Sequence, residues 1–281
     1  MLKQDFKRYF FSWGTVLAVV AFLATTAMSF YDTYEYRELM MSYVGMPTHH
    51  DPVKLAALIE SLDMTEFLQN FWSEDSSLIL FPIVALIWEG IFLSSIFMTQ
   101  RLSGQGNTLI TRMNFNKYIR NTIVSQSLYI GAVLGIFNVL LNLIAFILGG
   151  LSSGTPISKM LIVWVLQPIN IYIILVLFNI ISLFLLMFFN NKYIAMAAPV
   201  IILEIIPFVV ASTIGNMSEF AANVTTKFNP ANAIRLSAKI ISSTNSHIQS
   251  FCESEITILL YIVVAVILYI AVNRKYSRDY I

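Results

Sequence analysis

The sequence predicts an all-α membrane protein with six transmembrane helices, and two observations lead to that class. Hydrophobic residues make up 57% of the 281 residues and charged residues only 12%, about half the roughly 25% that soluble domains carry. Six segments are apolar over the length of about 20 residues that a bilayer core requires. No aqueous stretch is long enough for a separate catalytic domain, so residues 1–281 are predicted to form one membrane domain. The six predicted spans are residues 10–30, 77–98, 122–148, 160–189, 194–214 and 256–273.

Lys and Arg are distributed unevenly along these segments. If both termini face the cytoplasm, most of the 17 Lys and Arg residues fall in inward-facing segments. Inner segments of membrane proteins carry an excess of these residues, so both termini are predicted to be cytoplasmic. The inward-facing residues are Lys3, Lys7, Arg8, Arg101, Arg112, Lys117, Arg120, Lys192, Arg274, Lys275 and Arg278. Acidic residues gather instead in the first outer loop, residues 31–76.

The N-terminal segment "MLKQDFKRYFFSW" has the pattern of an amphipathic helix. Leu2, Phe6, Tyr9 and Phe10 lie near one helical face, and the basic residues lie elsewhere. Helices with this pattern lie in the plane of the membrane interface. We therefore expect this segment to run along the inner interface before the first span.

Both large outer loops are predicted to contain short helices. The segment "DPVKLAALIESLDM" offers Asp51 as an N-cap and Pro52 at the first helical position, and apolar residues follow at i, i+3, i+4 and i+7 from Leu55. In the last outer loop, residues 215–255, the pair Asn229-Pro230 predicts a turn before another short helix.

The inner loop at residues 99–121 contains a short, polar-capped element among basic residues. Its two glycines interrupt the second span, and a polar residue then caps a brief helix with an apolar tip. Such a helix is too short to be stable alone in water, so it predicts a docking groove on a cytoplasmic partner. The alternative is a plain basic turn that follows the positive-inside rule. The residues of this element are Arg101, Gly104, Gly106, Asn107, Thr108, Leu109, Ile110 and Arg112.

The stretch "RLSGQGNTLITRMNFNKYIRNTIVSQ" resembles the inner loop of the ABC-2-type exporter permeases, the membrane subunits of ABC transporters. The amphipathic N-terminus, the six spans and the large first outer loop add to the resemblance. In that family the loop forms the coupling helix, which docks on the ATP-binding subunit. The resemblance implies the same role for the loop residues from Arg101 to Arg112.

The resemblance also implies the partners and the location of the chain. No G-x-x-x-x-G-K-[ST] phosphate-binding loop is present, so ATP and Mg²⁺ are expected on a separate ATPase subunit, and this chain is expected to bind no cofactor. A second permease chain, identical or different, would complete the pathway. The expected location is the bacterial cytoplasmic membrane, and the expected substrate is hydrophobic or amphipathic, such as a peptide, lipid or drug.

Two acidic residues fall inside predicted spans: Glu89 in "LIWEGIF" and Glu204 in "VIILEIIPF". An ionised carboxylate in the bilayer is costly, so each should face a partner or a watery cavity, or remain protonated. Each could line the substrate pathway or take part in gating. Each could equally form a structural bond within the bundle.

The third span places Gly131, Gly135, Asn138 and Asn142 on one helical face. Small and polar residues on one face indicate either close helix packing or the lining of a pathway. In the fourth span, Pro168 predicts a kink, because proline cannot donate a backbone hydrogen bond.

Other function classes fit the sequence less well or remain open. An intramembrane enzyme would need paired His and acidic residues within the spans, but all three histidines fall in outer loops. We therefore expect no catalytic residue, no metal site and no nucleic-acid partner. A proton-coupled secondary transporter using Glu89 and Glu204 remains an alternative. So does a non-transporting immunity or sensor protein that binds a peptide through its acidic outer loop.

Overall fold

The computed structural model describes five stretches of the chain and a set of single residues. The stretches are residues 6–7, 9–43, 115–150, 160–189 and 245–279. The single residues are 64, 68, 71, 84, 88, 93, 96–97, 191, 193–194, 197–198, 201, 205–206, 209 and 213. Within this part of the chain the backbone is helical almost throughout and contains no strand. The all-α prediction is therefore confirmed for the described residues.

Four long helices account for most of the described residues. A π-helical turn precedes the third of them, and the second ends at Gly149 and is followed by Gly150, whose φ is +69°. This left-handed conformation suits glycine, and the Gly150 N–H donates to the Phe146 carbonyl at 2.9 Å to close the last turn. The helices are α1, Trp13–Tyr43; α2, Phe115–Gly149; α3, Gln167–Phe189; and α4, Asn245–Asp279; the π-helical turn is Ile162–Leu166.

Two of the described helices are long and apolar enough to cross a membrane. These are Asn116–Ile147 within α2 and Val163–Leu186, which comprises most of the π-helical turn and α3. They correspond to the third and fourth predicted spans. The apolar parts of α1 and α4, Trp13–Met28 and Glu255–Ala271, are shorter. These helices indicate association with a membrane, and the number of six spans stays a prediction.

The helices continue beyond the apolar segments that predicted them. α1 runs to Tyr43, past residue 30, and α4 begins at Asn245, ahead of residue 256. Backbone hydrogen bonds do not depend on apolar side chains, and α1 continues through Glu, Arg, Leu and Met, which all favour helix. Parts of the predicted loops 31–76 and 215–255 are therefore helical.

Contacts at two levels show that α1 and α2 run in the same direction. The Thr15 hydroxyl lies 2.8 Å from the Tyr129 hydroxyl near the start of α1. Further along, the rings of Phe22 and Phe137 are 5.2 Å apart. Residue numbers rise together on both helices, so the two helices are parallel.

The same argument orients α3 and α4. Asn179 contacts Gln126 and the Trp164 carbonyl contacts Asn138, so α3 is antiparallel to α2. Asn170 contacts Glu255 near the beginning of both α3 and α4, and residues near 180 of α3 pack against residues near 268 of α4. α4 is therefore parallel to α3.

An aromatic cluster joins α1 and α2 to residues from the segment between them. Trp88 packs against Phe22 at 5.8 Å and against Tyr129 at 5.5 Å between ring centroids. Phe71 packs against Phe30 and Phe137, each at 6.3 Å. Phe71 belongs to the predicted outer loop 31–76, yet it is buried in the core. An apolar side chain in a loop sequence thus contributes to helix packing.

The outward faces of α1, α2 and α4 are rich in apolar side chains. Leu17, Val139 and Leu259 are examples from the three helices, and each is more than half exposed. α3 is the most enclosed of the four helices. In water this exposed surface would be unfavourable, whereas lipid chains solvate it without cost.

The first described turn packs against the bundle. Tyr9 is buried, and its carbonyl accepts hydrogen bonds from the Ser12 hydroxyl at 2.7 Å and from the Thr15 hydroxyl at 3.0 Å. Lys7 is exposed, as the amphipathic pattern predicts, and the rings of Phe6 and Phe10 stack at 5.7 Å. The interfacial position of this segment stays a prediction.

Candidate functional site: a polar seam on the central helix

Polar side chains lie within the apolar interior where α3 meets α2 and α4. Side chains of this kind are costly in a dry interior unless they form hydrogen bonds, so their pairing fixes the relative positions of helices. We call this set the polar seam. It consists of Gln126, Asn138 and Asn142 on α2, the carbonyl of Trp164, Asn170 and Asn179 on α3, and Glu255 on α4.

One end of the polar seam is a buried pair between α2 and α3. The side-chain amide of Asn179 donates to Oε1 of Gln126 at 3.1 Å. Asn179 is 1% exposed and Gln126 is 0% exposed. No described residue accepts a hydrogen bond from Nε2 of Gln126. The sequence signal for this pair is a polar residue within an apolar run on each helix, but that signal does not identify the partner.

The other end of the seam compensates for the missing N–H of Pro168. In a regular α-helix the Trp164 carbonyl would accept a hydrogen bond from residue 168, which proline cannot donate. Asn138 on α2 donates its side-chain amide to this carbonyl at 3.3 Å. The backbone around Trp164 is π-helical, over Ile162–Leu166. The kink predicted at Pro168 therefore takes the form of a π-helical turn held by a neighbouring helix.

Asn142 extends this end of the seam along α2. Its side-chain amide donates to the Asn138 carbonyl at 2.6 Å and lies 3.1 Å from Oδ1 of Asn138. No described residue donates to Oδ1 of Asn142, and none accepts from the indole N–H of Trp164, although both atoms are buried. Where α2 meets the π-helical turn, the described residues thus leave one acceptor and one donor without a partner.

A third contact joins α3 to α4. The side-chain amide of Asn170 donates to Oε1 of Glu255 at 3.0 Å, and Asn170 is 1% exposed. Glu255 lies at the last position of the predicted outer loop 215–255, just before an apolar run. Sequence reasoning did not select Glu255, because the position of a carboxylate at the edge of a span is equally consistent with a solvated loop residue.

The two glycines of the predicted small-residue face have different surroundings. A Cβ atom at Gly131 would lie 3.3 Å from the Tyr172 ring, so α2 and α3 approach closely there. Gly135 is exposed, and no described atom lies within 4 Å of such a Cβ. Close packing therefore accounts for Gly131 and not for Gly135.

The other predicted site residues lie outside the described residues. These are the coupling residues Arg101, Gly104, Gly106, Asn107, Thr108, Leu109, Ile110 and Arg112, and the intramembrane acids Glu89 and Glu204. In the described part of the chain, no three His, Cys, Asp or Glu side chains are grouped as a metal site would require.

Comparisons with protein families, with curated proteins and with solved structures find no match to this chain. The likeness to the ABC-2-type permeases therefore rests on the inner-loop residues and on the order of the predicted elements.

Proposed function

We propose that this chain is the membrane-spanning permease subunit of an ATP-driven ABC exporter. It would move a hydrophobic or amphipathic substrate across the bacterial cytoplasmic membrane. A separate subunit would bind ATP and Mg²⁺, and a second permease chain, identical or different, would complete the pathway. The observation that carries the proposal is α2, a single helix that begins just after the coupling residues and reaches the polar seam.

The length of α2 suits it to transmit a movement. Its 35 residues correspond to about 52 Å at 1.5 Å per residue, against roughly 30 Å for the hydrocarbon core of a bilayer. Asn116, Lys117 and Arg120 at its beginning are exposed. α2 contacts all three other long helices of the described chain. A displacement at its first turn would therefore reach α1, α3 and α4.

The helix directions support the six-span topology. In that topology the first and third spans run outward, and the fourth and sixth run inward. The contacts give α1 and α2 one direction and α3 and α4 the opposite one. Four helices in the predicted orientations are consistent with cytoplasmic termini.

The Trp164 end of the polar seam is suited to a change of arrangement. A π-helical turn is a common site of functional adjustment within a helix, and this one depends on a side chain of α2. The Asn142 side-chain oxygen and the Trp164 N–H, for which the described residues provide no partner, could both find partners after a small shift. In the proposed mechanism, ATP-driven movement of the inner loop, residues 99–121, tilts α2 and changes the contact between Asn138 and the Trp164 carbonyl. This requires that the ATPase bind the conformations before and after the tilt with different affinities.

Purification of the chain from its native membrane tests the proposal. The native chain should bring down an ATP-hydrolysing subunit, and the variant Leu109→Asp with Ile110→Asp should lose it because charge replaces the apolar tip. The matched control, Leu109→Met with Ile110→Val, keeps the tip apolar and should retain the subunit. Gel filtration shows whether each variant remains folded. Absence of an ATPase from the native sample would refute the proposal.

A proton-coupled carrier is the second candidate, and the Asn170–Glu255 contact favours it. This acid contacts a buried amide between two helices, and acidic side chains within membrane helices often mark substrate, ion or proton pathways. It would join Glu89 and Glu204 as a candidate proton acceptor. A native sample without an ATPase, together with proton-dependent uptake, would favour this function.

A further inference from the structure

A groove between α2, α3 and α4 is a candidate lipid-binding site. Its volume is about 380 Å³, and it is open on one side. Ile123 on α2, Tyr172, Val176 and Ile180 on α3, and Ala265 and Tyr269 on α4 are among its lining residues. We call it the inner groove, because Ile123, Ile180 and Tyr269 lie in the halves of these helices that are predicted to be nearer the cytoplasm.

The open side of the inner groove is continuous with apolar helix surface. Ile262 and Val266 line the groove and are themselves exposed. Their neighbours Val263, Ile267 and Ile270 are exposed as well. A hydrocarbon chain in the bilayer could therefore enter from the side without crossing a polar barrier. From Tyr172 to Ile180 the groove extends over about 12 Å of α3.

Exposed basic residues lie beyond the inner groove, towards the ends of α2 and α4 that are predicted to face the cytoplasm. Arg120 precedes Ile123 by three positions, which places it about one turn below on a similar face of α2. Lys117 lies about another turn further and roughly 120° around α2 from Ile123, and Arg274 follows Tyr269 by five positions, roughly 140° around α4. All three side chains are exposed. The nearest acidic residue beyond Tyr269 on α4 is Asp279, about 15 Å further along the helix.

We propose that the inner groove binds an anionic phospholipid of the cytoplasmic leaflet. One acyl chain occupies the groove, and the phosphate lies against Arg120 and Arg274. Basic pockets between transmembrane helices on the cytoplasmic side suit such head groups, and Tyr269 is an aromatic residue of the kind that is enriched at the interface. The inference depends on the membrane position of α2, α3 and α4, and not on an ATPase partner.

The charges favour a lipid over a second copy of the chain as the occupant. A copy docked through the same face in the same membrane would bring its own Lys117, Arg120 and Arg274 to this end. Like charges would then repel in a region of reduced dielectric. An anionic head group neutralises them instead.

Lipid binding to the purified full-length chain tests the inference. Native mass spectrometry would count bound phosphatidylglycerol and phosphatidylcholine as each is added. The native chain should prefer phosphatidylglycerol. Arg120→Gln with Arg274→Gln should weaken the binding of this lipid by about tenfold or more, because each cation near an anionic head group contributes to the binding free energy. A single-charge control is Lys7→Gln, an exposed cation that does not line the groove, and it should change nothing.

A second pair of variants tests the acyl chain. Ala265→Phe fills the inner groove and should displace the lipid. Gly135→Leu adds an apolar side chain where the described structure leaves open space, and it should leave lipid binding intact. Equal affinity of the native chain and the arginine variant for phosphatidylglycerol would overturn the proposal. So would a dimer that is lost with Ala265→Phe and forms without lipid.

Discussion

The two faces of α3 differ in what holds them to their neighbours. Towards α2, α3 makes a buried side-chain hydrogen bond and packs Tyr172 against Gly131, and the π-helical turn ahead of α3 accepts a second bond from Asn138. Towards α4, Asn170 contacts Glu255, and apolar residues of both helices line the inner groove. Helices in lipid gain little from hydrophobic burial against each other, so close packing and hydrogen bonds decide which contacts are firm. The α2 face of α3 is therefore held mainly by hydrogen bonds, whereas the α4 face is the more extensive contact and includes the opening of the inner groove.

The largest expected loss of stability comes from Gly131→Leu, at the close contact between α2 and α3. The added side chain would meet the Tyr172 ring, since a Cβ atom alone would lie 3.3 Å from it. Forcing extra atoms into such a contact costs about 1–3 kcal/mol. Thermal unfolding in detergent should show a clear fall in Tm. Gly135→Leu is the control, and an equal fall in both variants would show that the α2–α3 approach is not specially close.

A smaller effect is expected at the buried pair of the polar seam. Asn179→Leu leaves Oε1 of Gln126 without its donor, and Gln126→Leu leaves the Asn179 amide without its acceptor. The double variant removes both polar groups and should recover part of the loss. Interhelical hydrogen bonds in membrane proteins contribute about 0.6 kcal/mol on average and up to about 1.7, so the coupling free energy should fall in that range. Additive effects of the two substitutions would mean that the pair does not hold α2 to α3.

Sequence reasoning located the helices better than it located their contacts. Long unbroken apolar runs identified α2 and α3, and Pro168 predicted the irregular backbone ahead of α3. The extension of α1 to Tyr43 was missed because hydropathy follows the apolar part of a helix and not its hydrogen bonding. The partners of Gln126 and Glu255 were missed because a pair between helices depends on how those helices pack. The sequence around each of these residues does not determine how the helices pack.

For Asn138, the sequence predicted the helical face but not the contact that the residue makes. Helical spacing placed it on one face with Asn142 and Gly131, and left open whether that face packs or lines a pathway. In the structure Asn138 bonds to the Trp164 carbonyl and Gly131 packs on Tyr172. Helical spacing could not supply this contact, because it depends on the absent N–H of Pro168 in another helix. A role in the substrate pathway stays a prediction for Asn138 and Asn142.

The most direct test of the central claim is a distance measurement across the two ends of the α2–α3 contact. After Cys252→Ser, one pair of spin labels at exposed positions 139 and 161 reports on the Trp164 end, and another at exposed positions 117 and 193 reports on the cytoplasmic end. Both are measured by pulsed electron paramagnetic resonance in the complex with the ATPase, with and without ATP.

We expect the 139–161 distance to shift by about 2 Å or more between nucleotide states, while the 117–193 distance stays constant because the Gln126–Asn179 pair holds that end. Pro168→Ala restores the backbone N–H and should reduce the shift. Identical 139–161 distances in both nucleotide states would contradict the claim that ATP acts through α2 on this crossing.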